Sequence, residues 1–176
     1  MNTIEILTLI TLLVLTLGLI VAAFQLAHLK NELRASHDWN RRVTTLKFFF
    51  FDESKVRSIW KRHQKHLADN LKSNTAIEIE KINNLSENGY PQIIDDMHYI
   101  LGKFETLGVG LKNKVADEKM CKDHMKGVLI KYYNLYAPYI LKYRTDRKNE
   151  AVYKNFQYYA EKWKGKIPVV ERDATG

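Results

Sequence analysis

The sequence predicts an all-α protein: a single N-terminal transmembrane helix followed by a cytosolic helical bundle of about five to six helices. Three observations carry that prediction. From Ile6 to Phe24 there is no charge, Asn, Gln or Pro. Beyond Ser36, apolar residues recur at alternating three- and four-residue steps, and no stretch alternates convincingly at period two. Pro and Gly are sparse, so nothing reads as a long linker. The expected division is an anchor with its flanks over 1–30, a basic and aromatic juxtamembrane helix over 31–53, a helical domain over 54–166 and a tail over 167–176.

The apolar run would rise about 28 Å as a helix, close to the ~30 Å hydrocarbon thickness of a bilayer. Backbone groups in lipid must be bonded within the segment, which makes a helix the single-span solution. Thr8, Thr11 and Thr16 fit, because a Thr hydroxyl can bond back to the carbonyl one turn earlier. A cleaved signal peptide is the rival, with Val21-Ala22-Ala23 as its small-residue site. It would need a basic leading region and a shorter apolar core, whereas the residues before Ile6 carry Glu5 and no Lys or Arg. Gly18 and Ala22 form a small-xxx-small pair that allows close helix approach in lipid. Lys30, Arg34, Arg41, Arg42 and Lys47 follow the span and are expected on anionic headgroups. The same bias puts the N-terminus outside and the domain in the cytoplasm.

The remainder is long enough for one modest domain with its own core. Lys and Arg exceed Asp and Glu by 28 − 20 = 8, and Glu5 cancels Lys30, so the excess lies beyond the anchor. A basic domain invites anionic lipid, nucleic acid or an acidic partner, although such charges also simply solvate helix faces. Cys121 is the lone cysteine, so no internal disulfide is available, as suits a reducing compartment.

Along the chain, Ser36 offers a cap for a new helix with Trp39, Val43, Leu46 and Phe50 on one face. The run Phe48–Phe51 suits either the core or the membrane interface. Asp52-Glu53-Ser54 then breaks the pattern. Val56, Ile59, Trp60, His63 and Leu67 form the next stripe, with Lys55, Arg57, Lys61, Arg62 and Lys65 opposite. Ser73-Asn74-Thr75 reads as a further cap, and Asn88-Gly89 as a helix stop. Ile94, Met97, Leu101, Phe104, Gly108 and Leu111 make the most regular stripe outside the membrane, expected at the centre of the core. Asp117 caps the following helix, in which Cys121, Met125, Val128, Leu129, Tyr132 and Tyr136 point inward and Pro138 should kink or end it. The last helix is expected from about Asp146, with Val152, Phe156, Tyr159 and Trp163 inside.

Tyr99-Ile-Leu-Gly-Lys-Phe-Glu-Thr-Leu-Gly-Val-Gly-Leu, Val115-Ala-Asp-Glu118, Tyr136-Ala-Pro-Tyr-Ile140, Arg144 and Trp163 together resemble the bacterial domain-of-unknown-function 4760 family. The likeness runs roughly from Asp95 to Trp163. Gly102-Lys103 departs from the Asn and aromatic that family tends to carry. The resemblance implies a helical domain behind one N-terminal span, single-pass at a bacterial inner membrane; the family carries no established activity and gives no site.

Read physically, Glu105 borders the apolar stripe of its helix and would need a partner, for which Arg144 is the candidate in a structural ion pair. His63-x-x-His66 and Cys121-x-x-His124 lack the spacing of structural zinc sites. Asp95, Asp96 and His98 suit a helix start. Gly108-x-Gly110 lacks the strand and third Gly of a nucleotide loop. No cofactor is expected. With no reactive pair, the expected function is non-enzymatic: a membrane-tethered module that binds a protein partner or itself as a homo-oligomer. The alternative is a nucleotide- or nucleic-acid-sensing defence effector that oligomerises and disrupts the membrane. Its ligand face would combine Lys55, Arg57, Lys61, Arg62 and Lys65 with Tyr132, Tyr136, Tyr139 and Arg144, since bases stack on aromatics beside cations.

Overall fold

A computed structural model describes residues 2–49 and 53–165. Among them are seven helices and no strand. They are α1 (Thr3–Phe49), α2 (Glu53–His66), α3 (Ala68–Ser73), α4 (Ile79–Asn88), α5 (Ile93–Lys112), α6 (Glu118–Arg147) and α7 (Lys154–Trp163). The chain divides into two units, Met1–Asn40 and Arg41–Gly176. The packing of the Phe48–Phe51 run, the break at Asp52 and the tail lie outside the described residues.

From Thr3 on, the first unit is helix throughout. Its threonines bond back as their chemistry requires: Thr8, Thr11 and Thr16 donate to the carbonyls of Ile4, Leu7 and Leu12, each at 2.8 Å. Leu7, Leu12, Leu19 and Phe24 are all more than 60% exposed, as water would not tolerate on so apolar a helix. The stretch Ile6–Lys47 holds a window of mean hydropathy 2.8, none of it buried. By length and composition, α1 is a helix able to cross a membrane.

Ser36 does not start a new helix. The polar residues after Phe24 break no backbone bond, so α1 runs through them, and Trp39 stays 67% exposed. The second unit begins at Arg41, inside α1. Thr45 ties that end of α1 to the helical domain. It is fully buried; its hydroxyl donates to Arg41 O at 2.7 Å and accepts the Asp117 N–H at 2.7 Å. Asp117 in turn caps α6, accepting from Met120 N at 2.9 Å.

The core forms around α5, whose stripe of Met97, Leu101, Phe104 and Leu111 is buried as its period requires. α7 packs on α5 and α6, α4 on α5, and α3 on α6. Gly108 lets α7 come close: a Cβ there would lie 2.8 Å from the Asn155 carbonyl carbon. Phe104 and Phe156 stack across the same contact, 5.0 Å between centroids.

Three boundaries differ from expectation. Ser73 and Asn74 close α3 instead of opening α4, with Asn74 left-handed at φ 55°. The extended residues that follow bury Ile77, whose N–H donates to Leu135 O at 2.9 Å. Pro138 does not end α6, which continues to Arg147. A proline removes one N–H from the ladder, and the carbonyl of Leu135 beside that gap is the one that takes Ile77 from outside. Asp146 belongs to α6, tied to Lys142 at 2.6 Å, and α7 starts only at Lys154 after left-handed Lys148 and Tyr153.

Candidate functional site

The predicted ligand face is dispersed by the fold. Helical period turns Ile59 and His63 of α2 into the core, with Leu67 buried just beyond its end, and leaves Lys55, Arg57, Lys61 and Lys65 exposed. Arg62 lies between these faces and reaches α5. Its Nε and Nη2 meet the two carboxylate oxygens of Asp96 at 2.6 and 2.8 Å, and Nη1 donates to Ser58 at 2.5 Å. Tyr90, itself buried, donates its hydroxyl to the same carboxylate. Burial opposes ionisation of Asp96, but the hydrogen bonds from Arg62 and Tyr90 outweigh it and hold the carboxyl below its ordinary range.

Tyr132 and Tyr136 are core residues rather than a stacking surface. They are 3% and 0% exposed, because the four-residue step that aligns them also faces them to α2. There they enclose His63. The Tyr136 hydroxyl lies 3.2 Å from His63 Nε2, and that of Tyr132 lies 3.4 Å from Nδ1. Burial lowers the His63 pKa to about 4, keeping the ring neutral. Neither ring presents an exposed face on which a base could stack.

Tyr139 belongs to another cluster. His98 on α5 bridges two hydroxyls, with Nε2 2.9 Å from Tyr139 and Nδ1 2.7 Å from Tyr153. Tyr143 meets the same imidazole edge-on at 4.8 Å, and the Arg147 guanidinium lies 5.3 Å from the Tyr143 ring centre. Both His98 nitrogens are thereby engaged within the fold. Nearby on α5, Tyr99 carries Lys55 and Lys103 over its ring at 4.1 and 5.3 Å.

The expected Glu105–Arg144 ion pair is not formed. Glu105 serves α7 instead, accepting from Asn155 Nδ2 at 2.6 Å and from the backbone N–H groups of Asn155 and Phe156 at 3.3 and 2.8 Å. A carboxylate suits those amides because they open a helix and have no partner within it. Arg144, 5% exposed, donates to Val152 O and Gln157 Oε1, both at 2.7 Å, and fastens the α6–α7 turn. Among the described residues its Nη2 has no hydrogen-bond partner.

Lys30 and Arg34 stand exposed on the first unit, six and ten residues past Phe24. Arg42 and Lys47 are exposed in the second unit, and Arg41 is half-buried. Gly18, with Ala22 exposed one turn on, has open space around it. Among the described residues no group of three His, Cys, Asp or Glu could hold a metal. Burial pushes the Cys121 thiol up to about 12, which leaves it unreactive. A shallow concavity bounded by Thr3, Ile4, Leu7, Thr8 and Thr11 is open helix surface, and the threonines Thr8 and Thr11 use their hydroxyls on the helix itself.

The Arg62–Asp96–Tyr90 network was not anticipated. Its signal was present: Asp96 falls three residues after Ile93 and four before Ile100, on a buried row of α5. A carboxylate in such a row needs a cation or donors from another helix.

These features define an all-α domain behind a helix of membrane-crossing length and composition. The chain belongs to the family described as Domain of unknown function (DUF4760), whose model matches residues 12–163. No curated protein and no solved structure matches it.

Proposed function

We propose that this protein is a non-enzymatic, membrane-tethered helical interaction module of the bacterial inner membrane, binding a protein partner or a second copy of itself. The supporting observation is α1, whose apolar surface between Ile4 and Leu26 is exposed on every side. Only lipid or another protein makes so much apolar surface stable in a cell. Lys30 and Arg34 beyond the apolar run favour a cytoplasmic domain and contact with anionic headgroups. What α5, α6 and α7 bury is packing and internal bonding, which favours a binding scaffold over a reaction centre.

The test is extraction of membranes with alkaline carbonate, followed by native mass spectrometry of the full-length protein released gently from its own host. A tethered module stays in the membrane fraction and emerges with a protein partner or as a defined oligomer. A bare monomer, or release by carbonate, would sink the reading. A nucleotide-sensing effector is less favoured, because Tyr132 and Tyr136 are enclosed. It would be revived by a small anionic mass carried with the oligomer.

A further inference from the structure

Two oppositely charged faces of the second unit take no part in its core. α2 turns Arg57, Lys61 and Lys65 outward. Four-residue steps place them in one row, about 6 Å apart along the axis and about 12 Å from end to end. α4 turns Glu80 and Glu87 outward, with exposed Asn83 and Asn84 between them, while Ile82 is buried on its other side. The two carboxylates lie on one face, about 10.5 Å apart along the axis. A cationic row and an anionic pair of nearly equal length thus stand on the surface of one chain.

We propose that the α2 row of one copy docks on Glu80 and Glu87 of a second copy. This names the contact for self-association and rests on the tethered-module reading. Charge complementarity chooses the occupant: α2 against α2 would oppose cations, and α4 against α4 would oppose carboxylates. Single exposed ion pairs are weak, so the contact depends on concentration. Tethering supplies it, because copies held in one membrane meet at a far higher effective concentration than free ones. Whether the contact closes as a two-fold dimer or a ring follows from the measured mass.

The experiment uses the full chain in nanodiscs at low salt, with mass measured by native mass spectrometry. Lys61→Glu with Lys65→Glu forms one variant, and Glu80→Lys with Glu87→Lys the other. All four positions are exposed, and far-UV circular dichroism checks that the helices persist. The wild type assembles, and each variant alone falls to monomer, with at least a tenfold weaker association. An equal mixture of the two variants reassembles, because each then offers the charge the other lacks. Raising salt from about 50 mM to about 500 mM, which shortens the screening length severalfold, dissolves the wild-type assembly. Unchanged mass in either variant, a mixture that stays monomeric, or a monomeric wild type overturns the proposal. If the wild type and both variants assemble and resist carbonate, the α2–α4 contact falls and the tethered module stands. If carbonate releases the chain, the tethered reading itself falls.

Discussion

Asp96 concentrates the electrostatics of the domain in one side chain. It is 5% exposed and receives two nitrogens of Arg62 and the hydroxyl of Tyr90. Replacing it by Ala leaves a guanidinium and a buried phenol without their acceptor. Breaking a fully buried pair costs about 3–5 kcal/mol. The Arg62 side chain keeps 35% exposure, so water recovers part of that, and about 2–3 kcal/mol is expected for Asp96→Ala in urea denaturation. His63 makes a separate, pH-dependent contribution. Its pKa falls from 6.5 to about 4 on folding. Between those values the unfolded chain binds a proton that the folded chain refuses, so stability declines as pH drops through the window. Above about pH 6.5 the contribution is fully present, and below about 4 its slope ends. Asp96 titrates beneath its ordinary 3.8 and so loses its contribution under that window. Denaturation midpoints followed across this range should slope for the wild type and flatten for His63→Gln.

At the scale of elements, α7 depends on what its neighbours omit and supply. Gly108 omits a side chain, and Glu105, three residues earlier, supplies acceptors to the first amides of α7. Gly108→Ala gains helix propensity but drives a methyl into the Asn155 backbone, which no rotamer can relieve. Overpacking of that kind typically costs about 1–3 kcal/mol and outweighs the gain. Gly102 and Gly127 have open space where a Cβ would sit, so alanine there should stabilise by about 0.5–1 kcal/mol. Thermal melts of the three variants should therefore move in opposite directions. The existence of these helices was legible, because the α5 stripe and the Asp117 cap are local patterns. Their ends were less so. Lys148 and Tyr153 turn the chain in the left-handed region without a glycine to announce it. Pro138 advertises a stop that packing overrides.

For the whole molecule, partner choice was the least legible part. Glu105 and Arg144 each need a companion, and sequence offered them to one another. The fold gives Glu105 the start of α7 and Arg144 the Val152 carbonyl, choices that depend on how three helices meet. The same holds for the bond between Thr45 and the Asp117 N–H, which ties the end of α1 to the domain. A fragment beginning at Arg41 retains that bond, whereas one beginning at Ser54 leaves the amide without its acceptor. One such bond is worth about 1 kcal/mol, or roughly 3–5 °C in a domain of this size. The shorter fragment should melt lower by at least that amount in calorimetry. Equal melting temperatures would show that the end of α1 is dispensable to the domain.

The reach of α2 across the chain also sets a timetable for biosynthesis. Arg62 waits for Asp96, 34 residues later, and His63 waits for Tyr132 and Tyr136, 69 and 73 residues later. α7, which packs on both α5 and α6, leaves the ribosome after all of them. α2 therefore leaves the ribosome with Ile59 still unburied, before the helices that cover it exist. The half-built domain thus keeps core side chains unburied until the last helix arrives. Slow codons before α7, or loss of a holding chaperone, would then lower yield without any change in the finished fold.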